Sequence, residues 1–196
     1  MASSGNPLKQ IMDIRREEAP MAILMFCYFF LVIMTFWILK PLKKGLFIGF
    51  YDQAGFDLFG AHLGAAQAEL IAKVLNMVVA LVAVTIFTFL VRYFQREKLT
   101  YIFSGFFLIC YALYSTVVNT PSDTTVWTFY LFGDLYSTLM VATFFAFLND
   151  SVSPGSAKRL YGVIGLGGVL GGTFGTTVLR TKVDDLSVAQ WLWICL

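Results

Sequence analysis

Charge is scarce in this sequence. Of its 196 residues only 13% are Asp, Glu, Lys or Arg, against 58% hydrophobic and 17% aromatic. Soluble domains carry about 25% charged residues, so a water-solvated surface over this much apolar mass is excluded, and a mean hydropathy of +0.75 agrees. Histidine is limited to His62, and cysteine to Cys27, Cys110 and Cys195. The cysteines stand singly inside apolar runs with no CxxC spacing, as small hydrophobes do, and His62 has no second His or Cys near it. No metal site, disulfide framework or cofactor is therefore expected. A net charge of +2 without a dense basic stripe excludes a nucleic-acid partner. Catalytic motifs are missing too: no Walker lysine follows the glycines, and neither a triad nor a paired-carboxylate site is visible, so nothing argues for an enzyme.

What is present is a series of long apolar runs. A membrane-spanning helix needs about 20 mostly apolar residues. Such runs cover about 20–39, 68–91, 100–118, 126–148 and 160–179. Pro20 suits a helix start, and Pro41 is taken to end the first run. A shorter run, 188–196, cannot cross a bilayer, so the chain is expected to stop inside a sixth helix. The fold class expected is all-α, a polytopic transmembrane bundle of five full spans and a partial sixth. The lipid bilayer is its first partner.

Residues 1–19 form a separate amino-terminal segment. Arg15, Arg16, Glu17 and Glu18 precede the first run and no small-residue cleavage site follows it, so this is no signal peptide. Pro7 to Glu18 reads either as a short interfacial amphipathic helix or as a disordered tail. With the N-terminus cytoplasmic, the inner segments hold Lys9, Arg15, Arg16, Arg92, Arg96, Lys98, Lys158 and Arg159, and the outer ones Lys40, Lys43, Lys44, Arg180 and Lys182. The positive-inside rule favours that orientation, although the Lys40/Lys43/Lys44 cluster runs against it. The segment from Lys40 to Gln67 is too aromatic for a loose loop; part of it is expected to continue helix one or lie on the membrane surface. No strand pattern is visible.

Ionisable groups inside spans are rare and costly, which makes them functional candidates. Glu69, Lys73 and Asn76 fall on one face of helix two. They read either as an intrahelical Glu–Lys pair or as a cationic wall of a central cavity. Asp134 lies two turns into helix four, where it must face protein or water. It reads as a structural partner for a basic residue on a neighbouring helix, or as a coupling carboxylate that changes partners during transport. Lys40, Lys43 and Lys44 crowd the end of helix one; they either snorkel to headgroups or form an anion-attracting funnel.

Glycine concentrates in the fifth run, where Gly167/Gly171, Gly168/Gly172 and Gly171/Gly175 make three GxxxG pairs. Small residues at this spacing let membrane helices approach closely. The run GLGGVLG from Gly165 is not a dinucleotide fingerprint: it departs from GxGxxG, follows no strand and lies within a span.

Several stretches together resemble one family. ILKPLKKG (38–45), AELIAKVLNMVVALVAVTIF (68–87), REKL (96–99), FYLFGDLYSTLMVATFFAFLND (129–150) and SAKRLYGVIGLGG (156–168) are similar to the ATP/ADP antiporter family of plastids and obligate intracellular bacteria. Asp134 stands where that family commonly has Glu. The resemblance implies a fold related to the major facilitator transporters, twelve helices in two six-helix halves, of which this chain would be the N-terminal half, its C-terminal half missing. It further implies exchange of ATP and ADP by alternating access in a bacterial inner membrane, with Lys40 or Lys43, Lys73 and Asp134 as the charged residues of exchange. Two other readings remain open: a facilitator-type carrier of another organic anion, and a membrane assembly protein that transports nothing. Transport needs Lys73 to face water, whereas an assembly protein needs it paired and dry.

Overall fold

The computed structural model describes residues 16–58 and 61–196. Of the proposed helix or tail over 7–18, residues 7–15 lie outside them and 16–18 form a turn. The described chain is an all-α bundle with one small hairpin: α1 (Ala19–Ala54), β1 (Phe56–Leu58), β2 (Ala61–Leu63), α2 (Ala65–Tyr93), α3 (Arg96–Val117), α4 (Asp123–Ser151), α5 (Pro154–Lys182) and α6 (Val188–Cys195). Five of these helices are long and apolar enough to cross a membrane. The chain thus has the character of a multi-pass integral membrane protein. In the most apolar stretch of α2 no residue is buried. Val74, Met77, Val78, Leu81 and Ile86 stand open on it, a surface that lipid solvates and water does not.

Two expectations are corrected. Pro41 does not end the first helix, because α1 runs through it for 36 residues, about 54 Å at 1.5 Å per residue. Proline removes one N–H from the ladder and its ring crowds the carbonyl four residues back, a cost that other contacts must offset for the helix to continue. The turns beyond it hold because Leu42, Phe47 and Tyr51 are buried against neighbouring helices. The segment 56–63 does contain strands: Phe56 pairs with Leu63 and Asp57 with His62 in an antiparallel hairpin. Three-residue strands are too short to leave a readable alternation.

The helices alternate in direction. At one end Ala22 and Met25 of α1 pack with Phe144 and Leu148 of α4 and with Leu160 and Ile164 of α5. At the other, which carries the hairpin, Phe47 and Tyr51 pack with Val126 and Tyr130 of α4 and with Ala68 and Ala72 of α2. Aromatic pairs fill the α3–α4 seam, with Phe107 against Tyr136 at 5.2 Å and Tyr111 against Phe132 at 5.2 Å. Ser122 caps α4 by accepting from the Thr125 amide, and Ser187 with Gln190 forms a capping box on α6.

Five glycines of α5 lie against α1. A β-carbon added at Gly167 would stand 2.7 Å from the Phe26 carbonyl oxygen, and one at Gly175 2.7 Å from that of Met34. At Gly171 it would collide with the Phe30 carbonyl, while Gly168 and Gly172 face the rings of Phe29 and Trp37. Each of the three backbone contacts joins residues 141 positions apart, so α1 and α5 run parallel in fixed register. All five glycines read as packing residues in the sequence sit at this crossing.

Candidate functional site

The charged residues picked out on α1, α2 and α4 meet toward the hairpin end of the bundle. Lys43 is 5% exposed. Its ammonium forms an ion pair with Asp134, donates to the Tyr130 carbonyl at 3.4 Å and lies 4.5 Å from the Tyr130 ring centroid. A lysine stem reaches this position because the neighbour of Asp134 is Gly133: a β-carbon there would stand 2.6 Å from Lys43 Cδ. Sequence reading missed Gly133, and its only signal was its place beside the one intramembrane aspartate.

Lys44, the next residue on α1, turns the other way. Its Nζ lies 3.3 Å from Glu69 Oε1, and the Lys73 Nζ lies 3.1 Å from the same oxygen. The Glu69 side chain is 9% exposed, and those of Lys44 and Lys73 are each 54% exposed. Lys73 is therefore paired, as a packing role requires, and also half exposed on the bundle surface. The two ion-pair groups bridge α1 to α4 and α1 to α2. Together Lys43, Lys44 and Lys73 outnumber Asp134 and Glu69, leaving an excess of positive charge in the group.

Lys40 and Asn76, also expected at the site, stand apart. Lys40 is exposed, with its ammonium 5.4 Å from the ring centroids of Phe36 and Trp37, and joins neither pair. Asn76 is partly buried on α2, and its side-chain oxygen has no hydrogen-bond partner among the described residues. Ser137 donates to the carbonyl of Asp134 on its own helix at 2.8 Å, so it serves the backbone there.

No protein-family model matches the chain, and neither a curated protein nor a solved structure matches it. The site is accordingly read from its own chemistry.

Near the hairpin, Tyr51 closes the end of the α1–α4 seam. Its hydroxyl donates to Asp123 at 2.7 Å and accepts from the Trp127 indole at 2.7 Å. At the opposite end Arg96 of α3 bonds Asp150 of α4 at 2.8 Å. Among the described residues no cluster of three His, Cys, Asp or Glu side chains could hold a metal ion. The arrangement suits reversible neutralisation of an anion by lysines, with carboxylates as the competing partners.

Proposed function

We propose that the chain is the N-terminal half of a carrier for organic phosphate anions, and that it exchanges ATP for ADP by alternating access. The single observation that supports this reading is the linked lysine–carboxylate group across α1, α2 and α4, with its buried Lys43 and its half-open Lys44 and Lys73. Ionisable residues at this density within spanning helices are costly and mark substrate or ion pathways. The resemblance of residues 38–45, 68–87 and 129–168 to nucleotide antiporters supports the choice of nucleotide.

In this mechanism the two halves of the carrier rock about a site between them. Lysines neutralise phosphate as point charges while it is bound. Asp134 holds Lys43 on α4 throughout the cycle. Reorientation of the empty site is disfavoured because its charges are then poorly compensated, so transport in one direction requires return transport in the other. The protein lies in a bacterial inner membrane with its N-terminus cytoplasmic. A non-transporting assembly protein accounts for the glycine crossing but gives no reason for two half-open lysines on one carboxylate.

Uptake of labelled ATP by cells expressing the intact carrier tests the proposal. Lys73→Gln is expected to reduce uptake strongly, whereas Lys182→Gln, whose exposed side chain pairs with Asp185, leaves it unchanged. Excess external ADP should accelerate efflux of preloaded ATP. Uptake indifferent to Lys73, or efflux indifferent to external nucleotide, overturns nucleotide antiport and leaves the carrier of another anion standing.

A further inference from the structure

Glu69 occupies an odd position. Two ammonium groups from different helices converge on a single one of its oxygens, at 3.3 Å and 3.1 Å. The carboxylate is nearly closed off while both lysines are half open. An intrahelical Glu–Lys pair would need only Lys73. Bringing in Lys44 from α1 creates a two-lysine clamp already filled by an anion of the protein's own.

We infer that Lys44 and Lys73 are the phosphate clamp of this site and that Glu69 is its resident competitor, displaced when a phosphate group enters. The inference rests on the anion-carrier reading and adds to it a direct ligand contact for Lys44, expected only as part of an anion-attracting cluster, and a role for Glu69. One carboxylate shared by two lysines leaves that trio with one positive charge. A phosphate group bearing two negative charges offers each ammonium its own oxygen and balances both, which one carboxylate oxygen cannot do. Lys43 plays a different part: it is buried, it has Asp134 and Tyr130, and it stays with them. Adjacent residues on α1 thus divide the work, Lys43 anchoring α4 and Lys44 meeting the ligand.

Displacement has a consequence for affinity. The entering phosphate must break two ion pairs and leave Glu69 enclosed without its cations, so the acid weakens binding. It also restores the empty site when the ligand leaves. Glu69→Gln should therefore bind anions more tightly and exchange them more slowly, a split between affinity and turnover that a purely structural salt bridge does not produce.

The full chain in phosphatidylcholine nanodiscs, titrated with pyrophosphate and with ATP, tests this. Glu69→Gln is expected to tighten pyrophosphate binding about tenfold, the competition of two half-exposed ion pairs, and Lys44→Gln added to it should abolish the gain. Wild-type binding without tightening in Glu69→Gln overturns the competitor role and leaves the anion-carrier reading intact. Absence of binding to either anion in every form overturns both. Should the variant fail to fold, amine acylation of the wild-type protein decides: pyrophosphate should protect Lys44 and Lys73 and leave Lys43 unchanged, and failure to protect them overturns the clamp. Protection that depends on phosphatidic acid in the disc, and not on pyrophosphate, assigns the phosphate to a lipid headgroup and overturns the substrate clamp.

Discussion

Lys43 and Asp134 pair across the α1–α4 interface in the space that Gly133 leaves open beside them. The lysine is buried, so it depends on that carboxylate. Breaking a buried pair from one side leaves an uncompensated charge and costs about 3–5 kcal/mol. The Asp134 side chain is 27% exposed, which lowers the expectation to about 2–4 kcal/mol for Asp134→Asn. Thermal denaturation in detergent should show that loss, and Lys43→Met combined with Asp134→Leu should recover most of it. Equal instability of the single and double variants would mean that the pair is not the determinant.

Gly133→Val tests the same relationship sterically. Its first added carbon meets the Lys43 stem, so the stem must shift and its pairing with Asp134 is disturbed. Stability should fall as in Asp134→Asn, and the two changes combined should cost less than their sum, because both remove one interaction.

The Arg96–Asp150 bond joins α3 to α4 on an exposed surface. Exposed pairs contribute about 0–1 kcal/mol. Arg96→Gln should therefore shift the unfolding midpoint far less than Asp134→Asn. A comparable shift would show that exposure misjudges this contact.

The glycine crossing predicts a graded response. Gly171→Leu should prevent assembly, because the Phe30 carbonyl already occupies the position of its β-carbon, whereas Gly165→Leu meets open space and should be tolerated. Yield of monodisperse protein after detergent extraction separates the two. Equal yields would refute the crossing.

Orientation is checked by labelling. In a background with Cys27, Cys110 and Cys195 replaced, an impermeant thiol reagent on intact cells should modify Thr120→Cys and spare Lys98→Cys. The reverse pattern would invert the topology.

Much of the fold was legible because spans announce themselves as apolar runs; their ends were less so, although the aromatic content past Lys40 did point to a continued first helix. Lipid-facing stretches are recognisable by composition, but the last turns of α1 mix polar and aromatic residues and are helical only because Phe47 and Tyr51 find partners on α4 and α2. The hairpin left no trace, its strands being three residues each. Asp134 was recognisable as a group needing a basic partner from another helix, yet which lysine supplied it was not. Lys43 and Lys44 are neighbours in sequence but diverge by about 100° around the helix, so one reaches α4 and the other α2. That divergence depends on where α2 and α4 stand, which no local pattern encodes. The Tyr51–Asp123–Trp127 hydrogen bonds were missed for the same reason, since they join positions more than 70 residues apart.

The parallel register of α1 and α5 also sets a clock on biogenesis. Phe26, Phe30 and Met34 each meet a glycine made 141 residues later. At about 5–20 residues per second of synthesis, α1 waits roughly 7–30 s for the helix that covers this flank. During that interval the flank must be held by lipid or by the insertion machinery. A slowed ribosome therefore lengthens the exposure of this seam more than that of the α3–α4 seam, whose partners emerge one after the other.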